Sequence, residues 1–272
     1  MIQSVGLGAT IYVNTVRLTK PVEKMEFDFY PEALKATYYT IFIFMVLSLP
    51  EFYESFVLQR TTAFAFVIIG IVSQNLLYST NAFFVFVDTK IYFNLLNIAI
   101  MEQRNGKLTV ELLDEIRSKI YERSQSAYIS NNAMIFVGVI NLLFIAGSFI
   151  TSTWIFTDGY FLASILATMF RELFYCILVS WEIARVNELS DSLLTEIGKC
   201  PFPSSLTIKK DDADVLYNYC QGELKKMSLV MNALTNPIHI KIIGLKLRRI
   251  DIIGRFILWF ISILIGISIQ QF

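Results

Sequence analysis

"RFILWFISILIGISIQQF" occupies residues 255–272, and its reading decides what fold the rest of the chain must serve. The seventeen residues after Arg255 carry no charge. A helix crosses the hydrocarbon of a bilayer with roughly 20 apolar residues, so this stretch reads as a membrane helix, 254–272. On a helical wheel Ile261, Leu264, Ile265, Ser268 and Phe272 share one stripe, with Gln271 beside it. Ser262 and Gly266 offer small faces where another helix can approach closely. Taken alone, amides at the end of such a helix need do no more than hydrogen-bond lipid headgroups.

The composition places the other residues in the same solvent. Of 272 residues 55% are hydrophobic and 23 are Phe, and the mean hydropathy is +0.55. Soluble domains sit nearer about 45–50% apolar, and here the excess falls in long blocks. The formal net charge is zero, which gives no bulk attraction to nucleic acid. Cys176, Cys200 and Cys220 are odd in number and lack metal-site spacing, so neither a disulfide framework nor a metal centre is expected. Residues 1–20 lack the basic start and continuous apolar run of a signal peptide.

Working back from the last helix, apolar blocks predict further spans at 36–58, 61–79, 82–101, 133–156 and 160–184. The fold class is therefore all-α, a polytopic membrane bundle of about six transmembrane helices. Residues 102–132 hold five Lys or Arg and 185–255 hold eleven, together sixteen of the chain's 23. Basic loops stay in the cytoplasm, and these two flank a pair of spans joined at 157–159, so one side suits both. On six spans the last helix runs outward, Phe272 ends outside the cell, and the N-terminal segment 1–35 also falls outside. The expected location is the plasma membrane.

The polar segments are structured in their own right. In 108–129, Leu108, Leu112, Ile116 and Ile120 recur at helical spacing, which extends a membrane helix into the cytoplasm. "WEIARVNELSDSLLTEI" (181–197) extends another. Residues 198–214 combine Pro, Gly, Ser and a charge run and read as a linker, the least ordered internal segment expected. An amphipathic pattern resumes after it and breaks at Asn236-Pro237.

Catalytic parts are missing. The one histidine, His239, has no second histidine or cysteine pair to complete a metal site. "GLGAT" (6–10) lacks the Lys and Ser/Thr of a phosphate loop, and no nucleophile elbow is present. No enzyme activity, cofactor or metal is expected. Polar residues inside the apolar blocks are costly and face partners or cavities. Arg171, Glu172, Gln74, Asn75, Asn94, Asn97, Asp88 and Lys90 are of this kind. Two readings stay open for them: bonds between helices, or the wall of a hydrated ligand cavity, for which Arg171, Glu172, Gln74 and Asn75 are the candidates.

"SLVMNALTNPIHIKIIGLKLRRIDIIGRFILWFISILIGISIQQF" (228–272) resembles the C-terminal signature of insect gustatory receptors. Pro237-Ile238, Gly244-Leu245, Asp251 and Gln271-Phe272 stand in that family's order. Upstream, "YFNLLNIAI" (92–100) and residues 181–197 are similar to the family's helices where they leave the membrane. The match departs at Leu264-Ile265, where the family has Thr-Tyr, at the spacing of Asp251, and in the count of six spans against seven, which the resemblance explains as an absent first helix.

The resemblance implies a tetrameric ligand-gated cation channel of identical or related receptor subunits opened by a small-molecule tastant. Four copies of the last helix would line the pore, with Leu264, Ile265, Ser268, Gln271 and Phe272 on its wall. Residues 102–130, 185–200 and 213–250 would form the cytoplasmic anchor where subunits meet, and Pro237, Gly244 and Asp251 would be its structural motif residues. Two other readings stand beside this one: a receptor-like scaffold that conducts nothing, and a small membrane transporter.

Overall fold

A computed structural model describes residues 24–57, 61–155, 159–199, 213–242 and 244–255, together with 257, 258 and 261. The chain is mostly helical. Helix α1 spans Lys24–Val57, α2 Thr61–Arg104, α3 Val110–Ile155, α4 Gly159–Gly198 and α5 Ala213–Thr235. A two-stranded antiparallel hairpin follows, β1 Lys241–Ile242 and β2 Leu245–Lys246. Helix resumes over 249–255. Among the described residues, three stretches are long and apolar enough to cross a membrane: Asp28–Tyr53, Ile68–Arg104 and Ala163–Gly198. A shorter apolar stretch, Asn131–Gly147, lies within α3.

Expected spans 61–79 and 82–101 prove to be one helix. Residues 71–104 contain neither Gly nor Pro, so nothing breaks the backbone ladder at 79–82. At 44 residues α2 is about 66 Å long, twice the hydrocarbon thickness, and must project well beyond it. With 61–101 as one helix and not two spans, the expected side of the N-terminal segment no longer follows from the count. Helix α1 runs antiparallel to α2, with Tyr30 against Phe83, Phe44 against Tyr78 and Ser48 bonded to Asn75. Residues 28–35 therefore lie toward the end of the bundle that carries the 105–109 turn, not opposite it.

Helices α2 and α4 run parallel, and α3 returns antiparallel to α4. Gly138 makes that return tight: a Cβ there would lie 2.7 Å from the Cys176 sulfur. Two apolar clusters stack along the bundle. Phe44, Tyr78, Met134, Tyr175 and Val179 centre one of them, where Tyr78 and Tyr175 stack at 4.3 Å. Leu96, Leu113, Ile116, Leu193 and Ile197 centre the other, at the basic end. The outward faces of α1 are Tyr38, Tyr39, Phe42 and Leu49, a large apolar surface suited to lipid rather than water.

Past Thr235 three residues shape the chain locally. Pro237 cannot continue α5. Gly244 turns the hairpin at φ +75°, a left-handed conformation that an L side chain resists. The Asp251 carboxylate accepts the Arg248 N–H at 3.1 Å, the return half of a capping box that starts the final helix.

Candidate functional site

Helix α4 carries polar residues at two levels, and each level is bonded to other helices. At the first, Arg171 and Glu172 are 2% and 1% exposed inside an apolar stretch. Isolated charges cannot persist there, and these are not isolated. Arg171 donates to Glu51 of α1 at 2.9 Å, to Ser48 at 3.2 Å and to Gln74 of α2 at 3.2 Å. Gln74 donates to Glu172 at 2.6 Å and to the Tyr78 oxygen at 3.1 Å. The Tyr78 hydroxyl donates to Glu172, the Thr168 hydroxyl donates to Glu51, and Asn75 donates to Ser48 at 2.9 Å. One guanidinium thus ties two carboxylates and three helices together. Three buried polar atoms at this level have no partner among the described residues: Arg171 Nε, Asn75 Oδ1 and Ser79 Oγ.

All four candidates Arg171, Glu172, Gln74 and Asn75 are brought together: Gln74 bonds both Arg171 and Glu172, and Asn75 joins them through Ser48. Glu51, Ser48, Tyr78 and Thr168 complete the cluster and were not singled out as site residues. Glu51 was visible as a carboxylate late in an apolar block, one residue after Pro50. Asp88 and Lys90 pair separately: Asp88 accepts from Arg123 of α3 at 2.7 Å, and Lys90 pairs with Glu32 of α1. Asn81 adds a further interhelical bond, donating to Tyr175 at 2.6 Å.

At the second level, near the basic end, α4 holds the segment that leads into the final helix. Asn187 is fully buried. Its amide donates to the carbonyls of Ile240 (3.0 Å) and Leu247 (3.1 Å), and its oxygen accepts the Ile240 N–H at 2.8 Å. Both sides of the hairpin are thereby tied to one side chain. Glu188 accepts the Arg249 backbone N–H at 3.0 Å and the Arg249 guanidinium, placing a carboxylate at the positive end of a helix dipole. Asp191 meets Lys246 at 2.7 Å, His239 at 3.0 Å and Arg248 at 3.5 Å.

Sequence reading missed Asn187, Glu188 and Asp191. The signal was there: Asn187 interrupts a stripe of Ile183, Val186, Leu193 and Ile197 that the core buries. A buried amide on an apolar face needs partners, and backbone is the usual source.

A cleft of about 900 Å³ opens between α3 and residues 235–242. It does not include Arg171, Glu172, Gln74 or Asn75. Among the described residues no group of three or more His, Cys, Asp or Glu converges as metal ligands would. Pore candidates Leu264, Ile265, Ser268, Gln271 and Phe272 lie outside the described residues, as does most of the 198–214 linker.

Helix α5 presents a third feature. Tyr217, Cys220, Leu224, Met227, Met231 and Leu234 are all exposed. Their spacing alternates three and four residues, the seam of a coiled coil. Leu229 and Ala233 on the other side of the helix are buried. No family model, characterised protein or solved structure matches the chain.

Proposed function

We propose that this chain is a chemoreceptor subunit of the insect gustatory-receptor type, a ligand-gated cation channel in which four copies surround a pore lined by the last helix. The observation that carries the reading is the double engagement of α4. One helix holds the buried Arg171 cluster at one level and, through Asn187, Glu188 and Asp191, the base of the last helix at another. A small ligand competing for the bonds of Arg171 would shift α4 against α1 and α2. The same rigid helix would carry that shift to residues 240–249. Arg171 Nε, Asn75 Oδ1 and Ser79 Oγ, which have no partners among the described residues, are the groups such a ligand would engage first.

The resemblance over 228–272 supports the family assignment, and the local roles of Pro237, Gly244 and Asp251 are compatible with it. With α2 as one crossing, the basic loops and the N-terminal segment share the cytoplasmic side, and the C-terminus faces outward at the plasma membrane. The exposed α5 seam is where subunits join, since an a/d stripe of this length is buried only against another helix. Native mass spectrometry of the detergent-purified full chain tests the assembly. Four copies are expected, and Leu224→Glu with Met231→Glu should release monomers that keep their helical content. A monomeric wild type would favour the transporter reading and contradict the channel.

A further inference from the structure

The cleft beside α3 combines an apolar floor with one lysine at its rim, Lys241, and Arg117 along its wall. Val85, Ala127, Ile183 and Ile242 are buried along it, while Ser118, Tyr121 and Lys241 are exposed at its rim. Lys241 stands directly opposite Lys246 in the hairpin register, an arrangement of like charges that costs stability. Asp191 answers Lys246. Lys241 has no carboxylate partner among the described residues. Arg117, on the same cleft, gives its terminal nitrogens to Asp114 and Asn232, yet its buried Nε has no partner among the described residues. Five cations (Lys241, Lys246, Arg248, Arg249, Arg255) fall within 15 residues against Glu188, Asp191 and Asp251, immediately before the last helix. Such clusters at the start of a membrane helix meet anionic lipid.

We infer that the cleft seats an anionic phospholipid of the leaflet at the basic end, with its phosphate at Lys241 and an acyl chain along Val85, Ala127, Ile183 and Ile242. The inference rests on the membrane reading above. It gives the hairpin, and hence the base of the last helix, a lipid as a structural partner. Charge complementarity selects the occupant: the floor takes a chain, Asp114 and Asp88 on the cleft are already paired with Arg117 and Arg123, and Lys241 at the rim is left without a carboxylate among the described residues.

The full chain in phosphatidylcholine nanodiscs carrying a small fraction of diazirine-tagged phosphatidylserine provides the test. After irradiation, adducts are expected on peptides holding Ala127, Ile183 or Ile242, with diazirine-phosphatidylcholine labelling the α1 face at Tyr38 and Phe42 instead. Lys241→Met should lower the cleft adduct about fivefold, and Ala127→Phe, which fills the floor, should abolish it. Both variants are checked for intact elution by gel filtration. Labelling of α1 without the cleft, or cleft labelling indifferent to Lys241→Met, would overturn the inference and leave the membrane reading standing. Competition by free glycerophosphoserine would mean a soluble phosphate is the ligand and would overturn the lipid assignment. Failure of the chain to enter nanodiscs would overturn both.

Discussion

Arg171 of α4 reaches Glu51 of α1 across 2.9 Å, with both side chains inside apolar stretches. A pair buried in this way is strongly asymmetric to mutation. Removing the cation leaves Glu51 and Glu172 without it, whereas removing all the charges together can be almost neutral. Arg171→Met should therefore destabilise the purified protein by about 3–5 kcal/mol, read as a lowered melting midpoint in detergent. Adding Glu51→Gln and Glu172→Gln should recover most of the loss. Arg171→Lys should fail to rescue, because a single ammonium cannot serve Glu51, Ser48 and Gln74 as a planar fork does.

Asn187 is the test of coupling. Asn187→Leu would strand the Ile240 N–H and two carbonyls, each buried group costing about 1–3 kcal/mol. Its distinctive consequence is functional: ligand binding measured on membranes should persist while the evoked current falls. Asn187→Asp keeps the acceptor for Ile240 N–H and loses both donors, so it should be intermediate. Equal loss of binding and current in both variants would reduce Asn187 to a purely structural role.

The helical class, the apolar blocks and the polar candidates on α2 and α4 were legible because periodicity and composition are local properties. What sequence reading divided wrongly was α2. Ser79, Thr80 and Asn81 resemble a turn between two spans, yet Asn81 bonds Tyr175, Ser79 is buried and Thr80 bonds the Leu76 carbonyl within the helix. Polar residues mark a turn or an interhelical contact equally well, and only the absence of Gly and Pro distinguished them. Glu51 and Asn187 were hidden for a different reason: their partners lie 120 and 53 residues away, beyond any local pattern.

A single passage of α2 would put the two chain ends on opposite sides of the membrane. An epitope placed before Met1 should stain only after permeabilisation, and one placed after Phe272 should stain intact cells. Staining of both on intact cells would restore two crossings within 61–101 and contradict the continuous helix. An internal C-terminal epitope would contradict the family proposal.

The last helix is proposed to line an ion path, and whole-cell recording of ion selectivity tests that role most directly. With surface expression matched, Gln271→Glu should place about four carboxylates around a narrow conduit and raise cation preference and divalent block sharply. Ser268→Leu should form an apolar ring that reduces leak by dewetting. A conducting Gln271→Glu channel with wild-type selectivity would contradict the account.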